Sequence, residues 1–501
     1  MGHSLSDLLG DRIAIGPEDE RWVRGLALHS DEVVPGDVYF ARRGRTHDGS
    51  AFIEAACAAG AVAVVAESGS VLPRLSRGYA VPLLLAADLP RCLGLAAHRF
   101  FGEPSSSLRV IGVTGTNGKT SVAYHVAQAI HHWHADGFHW PACGLIGTLG
   151  QGVFGRLEPS TYTTPDAITV HRLLAEFQTH RARIAVMEVS SHALAQQRVA
   201  GVVFHTAVFT NLTRDHLDFH GTMAAYGAAK RRLFEIPELR FAVLNLDDAF
   251  GQQLLESLPA GVEAMPYSLE VSDPRSVIRG RVVASGCDGL TLGVDSHWGR
   301  GEVQTPLMGR FSGSNLMAVL ATLLTIGVPW DAALARLAHL TPVPGRMETF
   351  GGTGAQPLVV VDYAHSPAAL TVALTSLRAQ CRGALWCVVG CGGDRDRGKR
   401  PLMGAIVARE ADVVVLTDDN PRSEDGQSII DEMLQGIPSR GAVIVERNRE
   451  QAIRYALHTA RPADVILVAG KGHESYQEVN GVRHPFSDAS VVRAALSELG
   501  P

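Results

Sequence analysis

The sequence predicts an α/β protein built as three domains, and three observations carry that prediction. Short apolar runs of strand length alternate with helical periodicity along most of the chain. A glycine-rich turn, Gly112-Val-Thr-Gly-Thr-Asn-Gly-Lys-Thr120, stands between one such run and a helical pattern. Several other runs end in polar clusters, as strands of an open sheet do where they present a site at their carboxyl edge. A length of 501 residues fits three units of roughly 150 residues each. They divide as a small N-terminal α/β domain (1–103), a central P-loop mononucleotide-binding α/β domain (104–341) and a C-terminal Rossmann-like, doubly wound domain (342–501).

In the first domain, 37–41 and 61–67 are apolar and β-branched enough for strands, and 50–59 and 89–101 carry helical spacing. The stretch 102–107, GEPSSS, serves as a linker. The central domain opens with the strand candidate 108–115 and a helix from about Lys119, followed by strand candidates 183–191 and 204–212. Residues 269–308, rich in Val and Gly, predict antiparallel strands. Helical patterns at 314–326 and 331–339 lead into a Pro/Gly hinge, 341–346. In the last third, strand candidates at 358–364, 385–393, 412–419, 442–446 and 464–470 are separated by helical patterns, the signature of a mostly parallel sheet.

Composition narrows the function. Hydrophobic residues make up 46% and charged residues 19%, which excludes a disordered chain. No run of about 18 apolar residues predicts a membrane span. The N-terminus lacks the basic-then-apolar pattern of an export signal, so a cytoplasmic location is expected. A net charge of −6 without a long basic block argues against nucleic acid. The 7 cysteines are scattered and odd in number, consistent with free thiols. Of 45 Lys plus Arg, only four are lysine: Lys119, Lys230, Lys399 and Lys471. A GC-rich genome explains the bias. The four survivors then mark positions where a guanidinium does not serve.

The glycine-rich turn supplies backbone N–H groups at a helix N-terminus, a cradle for phosphate. Its first glycine stands one residue further out than GxxxxGK[ST] asks. Lys119 can reach the β/γ-phosphates and Thr120 can offer a hydroxyl to Mg²⁺. Glu188, in MEVSSHAL, falls at a strand end where a carboxylate can hold Mg²⁺. The segment 210–222 packs Asp215, His216, Asp218 and His220 into one loop. Taken singly, each cluster is also what a surface loop provides; after successive strands of a P-loop domain they point to metal and phosphate. Lys230 stands on a helix with two arginines directly after it, so either a surface lysine or an amine needed as an amine fits there. The His-rich stretch 131–140 has irregular spacing and suits a solvated loop better than a metal site. Three loops of the last domain, 390–400, 418–424 and 470–474, follow strand candidates and carry cations that could meet carboxylate or phosphate, which together describe a binding crevice.

GTNGKTS, EVSSHAL, TNLTRDHLD, YGAAKRRLF, DYAHSP, GCGGDRDRGKRP, DDNPR and GKGHE, in this order and over nearly the whole chain, resemble the Mur ligases of peptidoglycan synthesis. The resemblance implies ATP-driven amide formation. The D-Glu carboxylate of UDP-MurNAc-L-Ala-D-Glu is phosphorylated, an incoming amine attacks the acyl phosphate, and phosphate leaves. It implies that Gly115, Thr116, Asn117, Gly118, Lys119, Thr120 and Ser121 hold the ATP phosphates, and that Asn315, Arg346 and Asp362 face the adenine and ribose. Thr120, Glu188 and His216 match the Mg²⁺ group, with Lys230 as a carbamate formed from CO₂. Thr163, Thr164, Ser190, Gln196 and Arg198 match muramoyl-peptide contacts, and Leu28, Ser30, Arg45, Thr46 and His47 match the uridine end. His29 stands where an Asp is common, and Tyr162 where an Asn is common.

The pattern Asp419-Asn420-Pro421-Arg422 resembles that of family members adding meso-diaminopimelate, whose distal carboxylate Arg422 can fork onto. Arg395, Gly470 and Glu474 match the remaining contacts, and Glu474 could accept the distal ammonium. The alternatives are an L-lysine-adding relative, another ligase of the superfamily, a kinase, or a nucleotide-gated protein without ligase activity. A monomer acting on small-molecule substrates is expected.

Overall fold

The computed structural model describes residues 2–44, 48–69, 81–131, 142–269, 273–286, 289–438 and 443–499. Arg45, Thr46 and His47, and all but His131 of the His-rich stretch, lie outside the described residues. Three principal sheets follow one another along the chain.

The first is a four-stranded parallel sheet of Gly25–Ala27, Asp37–Ala41, Ala63–Glu67 and Leu83–Ala86, in that spatial order. Its strands read as continuous apolar runs because both faces are covered. One apolar cluster includes Val38, Phe40, Val65 and Leu93, and the other Tyr39, Ala41, Ile53 and Val64. Odd and even residues of one strand thus point into different cores, as a period of two requires.

The second sheet has eleven strands. Its parallel centre is Cys143–Gly147, Ile184–Glu188, Arg109–Thr114, Phe204–Phe209, Phe241–Asn245 and Glu263–Ser268. Beyond it, the antiparallel strands Ile278–Gly286, Gly289–Ser296 and Gly299–Thr305 extend one edge, where 269–308 predicted them. Helix Lys119–His131 packs beside the long helix Arg310–Thr325 on one face. The opposite core, with Phe177, Phe204, Phe209 and Phe234, lies on the other. Strand Cys143–Gly147 escapes a pattern search because it is short and holds two glycines. The close approach explains one of them: a Cβ on Gly144 would sit 2.2 Å from Phe177.

The third sheet orders Glu348–Gly351, Leu358–Asp362, Val465–Ala469, Leu385–Val389, Val413–Leu416 and Val443–Val445, parallel except for the first strand. Helices cover both faces, so it is doubly wound. One buried ion pair ties two of them together. Arg449, 0% exposed, donates from Nε and Nη2 to the two carboxylate oxygens of Asp488, both at 2.8 Å, and from Nη2 to the Ala469 carbonyl.

The first two sheets are joined through helices Leu89–Phe100 and Ala167–Thr179, where the rings of His98 and His171 lie 5.2 Å apart. His171 Nε2 donates to the Ala200 carbonyl at 2.9 Å, and Nδ1 of each ring is buried without a partner. Burial pushes His171 down to about 4 and lowers His98 as well.

Two predictions follow from these buried groups. Burial favours the neutral form of both imidazoles in the folded chain, whereas an unfolded chain takes up protons below about pH 6.5. The contribution of His171 is therefore complete above about 6.5 and declines as pH falls toward 4, and that of His98 declines in the same direction. Thermal unfolding between pH 7.5 and 5 measures this, and His171→Gln is expected to have the shallower slope. Arg449→Ala leaves Asp488 as an unpaired buried charge, and denaturant unfolding of the C-terminal domain is expected to register a loss of about 3–5 kcal/mol.

Candidate active site

The central strand Arg109–Thr114 runs directly into the turn 115–118 and helix Lys119–His131. Gly115 and Gly118 adopt φ +152° and +84°, and a Cβ on Gly115 would stand 1.8 Å from Thr210 Oγ1. Only glycine fits a backbone pressed that closely against its neighbour. The neighbour is the loop after strand Phe204–Phe209, and it clamps the turn. Asn211 accepts from the Asn117 amide at 3.0 Å and donates to the Asn117 carbonyl at 3.1 Å. Thr210 Oγ1 donates to the same carbonyl at 2.6 Å, and the Thr213 amide donates to Thr116 Oγ1 at 2.9 Å. Asn245, from the next strand, donates to the Thr210 carbonyl.

Two amines meet at one carbonyl. Lys119 Nζ donates to the Gly115 and Thr116 carbonyls at 3.0 and 2.8 Å, and Lys230 Nζ donates to the Gly115 carbonyl at 2.7 Å. Lys230 is 1% exposed on helix Met223–Arg231, and its Nζ stands 4.5 Å from the centre of the Tyr226 ring. Burial, with the neighbouring Lys119 charge second, holds the Lys230 amine well below the usual lysine range. A surface lysine, the alternative open from sequence, is excluded.

Thr120 Oγ1 donates to Glu188 Oε2 at 2.9 Å, so the predicted hydroxyl and carboxylate come together. Thr148, at the end of strand Cys143–Gly147, orients that carboxylate through its amide (2.7 Å to Oε1) and hydroxyl (3.2 Å to Oε2). These oxygen donors suit Mg²⁺, which takes one or two protein oxygens and completes its shell with phosphate and water. His216 is arranged differently: its Nε2 faces Asp215 Oδ2 at 3.5 Å. Burial lowers the imidazole, while His216 and His365 hold Asp215 low against its own burial. Among the described residues no three His, Cys, Asp or Glu side chains gather as one metal site.

Arg346, from the hinge, donates to Thr120 Oγ1 at 3.2 Å and lies 4.3 Å over the Tyr363 ring. It lines a cleft with Ser121, His125, Phe311, Asn315 and Pro342, beside the glycine-rich turn. Asp362 accepts from the Met347 amide at 2.8 Å and is raised by burial, against which Arg346 acts. The last domain meets the central one elsewhere too, through His365 Nε2 to Asp215 Oδ2 at 4.0 Å and Arg214 to Asp396 at 3.6 Å.

The loops after four neighbouring strands of the third sheet converge at its carboxyl edge. Asp419 and Asn420 are buried, and Asn420 Nδ2 donates to Glu474 Oε2 at 2.8 Å. Arg422, at φ +54°, donates from Nη1 to the Gly393 carbonyl at 2.6 Å and lies 3.8 Å from Glu478. The Pro421 carbonyl comes so near Gly393 that a Cβ there would stand 1.9 Å away. Gly470, at φ +115°, would place a Cβ 2.5 Å from Asp419 Oδ2. Arg395 is exposed and turned onto the Asp394 carbonyl. Arg400, the last cation of the loop 390–400, lies beneath these loops, fully buried and bonded to Glu424 and Glu432 rather than open to a ligand.

Toward the N-terminal sheet, Thr164 Oγ1 donates to the Glu188 carbonyl at 2.8 Å and accepts from the Ser190 amide at 3.1 Å. Arg198 donates to Gln196 Oε1 and to the Thr164 carbonyl, and its guanidinium stands 5.3 Å from the exposed Tyr162 ring. Thr163 shares a hydrogen bond with Thr148. Leu28 directly follows strand Gly25–Ala27 and packs partly into the N-terminal core, with Ser30 two residues on and half-buried.

Three family models match the chain: "Mur ligase family, catalytic domain" over residues 23–100, "Mur ligase middle domain" over 113–323, and "Mur ligase, glutamate ligase domain" over 345–472. A protein of Alkalilimnicola ehrlichii named UDP-N-acetylmuramoyl-L-alanyl-D-glutamate--2,6-diaminopimelate ligase is 50% identical over 500 residues, covering 99% of each chain. One of the same name from Pseudomonas aeruginosa is 46% identical over 485 residues, or 96% and 97% of the chains. A solved structure bearing that name is 35% identical and superposes with a TM-score of 0.71 over 100% of both chains. MurF from Acinetobacter baumannii, 16% identical, shares the fold at a TM-score of 0.65 over 99% of both chains.

The clamp on the phosphate turn yields a prediction. Asn211→Ala removes both bonds to Asn117 and is expected to weaken nucleotide binding about tenfold, roughly 1.4 kcal/mol. Calorimetric titration with a non-hydrolysable nucleotide measures it, with an unfolding curve to separate this loss from global destabilisation.

Proposed function

Because the chain belongs to the Mur ligase family, we propose that it joins meso-diaminopimelate to UDP-N-acetylmuramoyl-L-alanyl-D-glutamate, with ATP hydrolysed to ADP and phosphate. The observation that carries the choice of acceptor is the crevice at the carboxyl edge of the third sheet. Arg422 brings a cation there and Glu474 an anion, linked through Asn420 and the Glu478 backbone. An acceptor with a distal carboxylate and a distal ammonium satisfies both, whereas L-lysine has no carboxylate for Arg422.

In this reading the turn 115–121 and Lys119 receive the ATP phosphates, while Asn315, Arg346 and Asp362 face the nucleoside. Thr164, Ser190, Gln196 and Arg198 orient the muramoyl peptide, with Thr163 beside them. The D-Glu carboxylate attacks the γ-phosphorus and ADP leaves; the acceptor amine then attacks the acyl carbon, loses a proton, and phosphate leaves. Thr120 and Glu188 would hold Mg²⁺, which when bound neutralises charge on the transferred phosphoryl group. Arg346, on Thr120, keeps the acceptor domain registered against the phosphate turn. The reading needs no residue from a second chain, so we propose a monomer, and we place it in the cytoplasm with its small-molecule substrates. Among the described residues no helix is long and apolar enough to cross a membrane.

Lys230 completes the proposal. An amine that burial holds well below the usual lysine range can add to CO₂ as the free base, giving a carbamate and releasing a proton, and the anion would serve with Glu188 and His216 as a ligand for Mg²⁺. Guanidinium has no such reaction.

The test is phosphate release and product mass from protein, ATP, Mg²⁺ and UDP-MurNAc-dipeptide with either amino acid. Turnover is expected with meso-diaminopimelate, and turnover with L-lysine alone would overturn the specificity. Arg422→Ala is expected to raise KM for diaminopimelate far more than KM for ATP. Lys230→Ala is expected to be nearly inactive and partly restored by small carboxylates. Full activity in Lys230→Arg would contradict the carbamate.

A further inference from the structure

Lys471 is the most completely buried of the four lysines, with 0% of its side chain exposed, and the mechanism above gives it no task. Its Nζ donates to Glu474 Oε2 at 2.8 Å and to Asn420 Oδ1 at 3.0 Å, and lies 3.8 Å from Asp419 Oδ1. All three are groups of the acceptor crevice. Asn420 repeats the contact from the other side, since its Nδ2 also donates to Glu474 Oε2. Two donors thus fix one oxygen of Glu474, while among the described residues Oε1 takes no hydrogen bond.

We propose that Lys471 is a positioning residue that sets acceptor specificity by locking Glu474 with Oε1 turned to the substrate and by adjusting the charge of the crevice. This rests on the acceptor reading given above. The Lys471 ammonium faces both Asp419 and Glu474 and offsets part of their charge, leaving Glu474 Oε1 for the distal ammonium. Without Lys471 the two carboxylates repel each other uncompensated and Asn420 loses a partner. A guanidinium cannot take the same place. Acceptors converge on one point from Asn420, Glu474 and Asp419, which suits a compact ammonium with three rotatable donors and not a planar fork. The backbone cannot yield to make room, because Gly470 and Gly472 flank Lys471 in left-handed conformations. Gly470 already lies against Asp419, and a Cβ on Gly472 would stand 2.5 Å from the Gly345 carbonyl.

The experiment measures KM for meso-diaminopimelate, ATP and UDP-MurNAc-dipeptide in the full-length enzyme and in Lys471→Met, Lys471→Arg, Glu474→Gln and Lys471→Met/Glu474→Gln. Lys471→Met is expected to raise KM for diaminopimelate at least tenfold and the other two less than threefold. The double variant is expected to be no worse than Glu474→Gln, because Lys471 acts through that carboxylate. Equal rises in all three KM values, or effects that multiply in the double variant, would overturn the proposal. If Lys471→Met does not fold, Lys471→Arg decides, since it keeps the charge: a wild-type KM for diaminopimelate there rejects the role. Should Glu474→Gln leave that KM unchanged, the assignment of Glu474 to the distal ammonium fails at its root, an outcome distinct from failure of Lys471 alone.

Discussion

The active site depends on one clamp, the pair of hydrogen bonds by which Asn211 grips both the amide and the carbonyl of Asn117. A glycine-rich turn has high conformational entropy when free, and its N–H groups form an anion site only if held in one shape. Here the shape is imposed from outside by the loop after the adjacent strand. That loop is in turn anchored by Asn245 from the strand beyond. The consequence reaches the chemistry, because the fixed turn aims the Gly115 carbonyl at Lys119 and Lys230 together. Two ammonium groups on one carbonyl repel each other, and burial penalises both. Burial lowers both amines, and Lys230, the more deeply buried, is held well below the usual lysine range.

The same turn organises the contact between domains. Thr120 stands at its end with Glu188 on one side and Arg346 on the other, so the hinge arginine touches the hydroxyl that the carboxylate already holds. Asp215 likewise lies between His216 of its own loop and His365 of the last domain. A polyanion entering the turn would meet Lys119 and Arg346 from two domains at once. Charge neutralisation and domain registration would then fall on the same two side chains.

Much of this was legible in the sequence, for identifiable reasons. Strands such as Asp37–Ala41 and Leu385–Val389 are buried on both faces, so their apolar runs are unbroken and their ends fall where polarity returns. The phosphate turn was legible because its glycines and lysine are close in sequence. Thr148 and Asn211 were not singled out, since their partners lie 40 and 94 residues away and their importance is a matter of register between parallel strands. Glu188 was visible as a carboxylate at a strand end, but the turn of His216 toward Asp215 depends on a left-handed residue, φ +53°, that no spacing rule announces.

The distribution of lysine and arginine follows from the acceptors each one meets. Arg449 faces both oxygens of Asp488, and Arg400 spans Glu424 and Glu432, so their planar forks find carboxylates presented edge-on. The lysines face a different geometry. Lys119 and Lys230 end on backbone carbonyls of the phosphate turn, Lys399 on the His365 carbonyl at 2.8 Å, and Lys471 on a side-chain carbonyl beside Glu474. Each donates to at least one uncharged oxygen in a buried or crowded space that a compact ammonium fills, whereas the buried arginines spend most of their fork on carboxylates and still leave Arg449 Nη1 and Arg400 Nε without a partner among the described residues. An unmet donor in such a place costs roughly 1–3 kcal/mol. A mutational drift toward arginine can therefore replace lysine on the surface at little cost, and the four lysines that remain are those whose amines end on oxygens inside the fold.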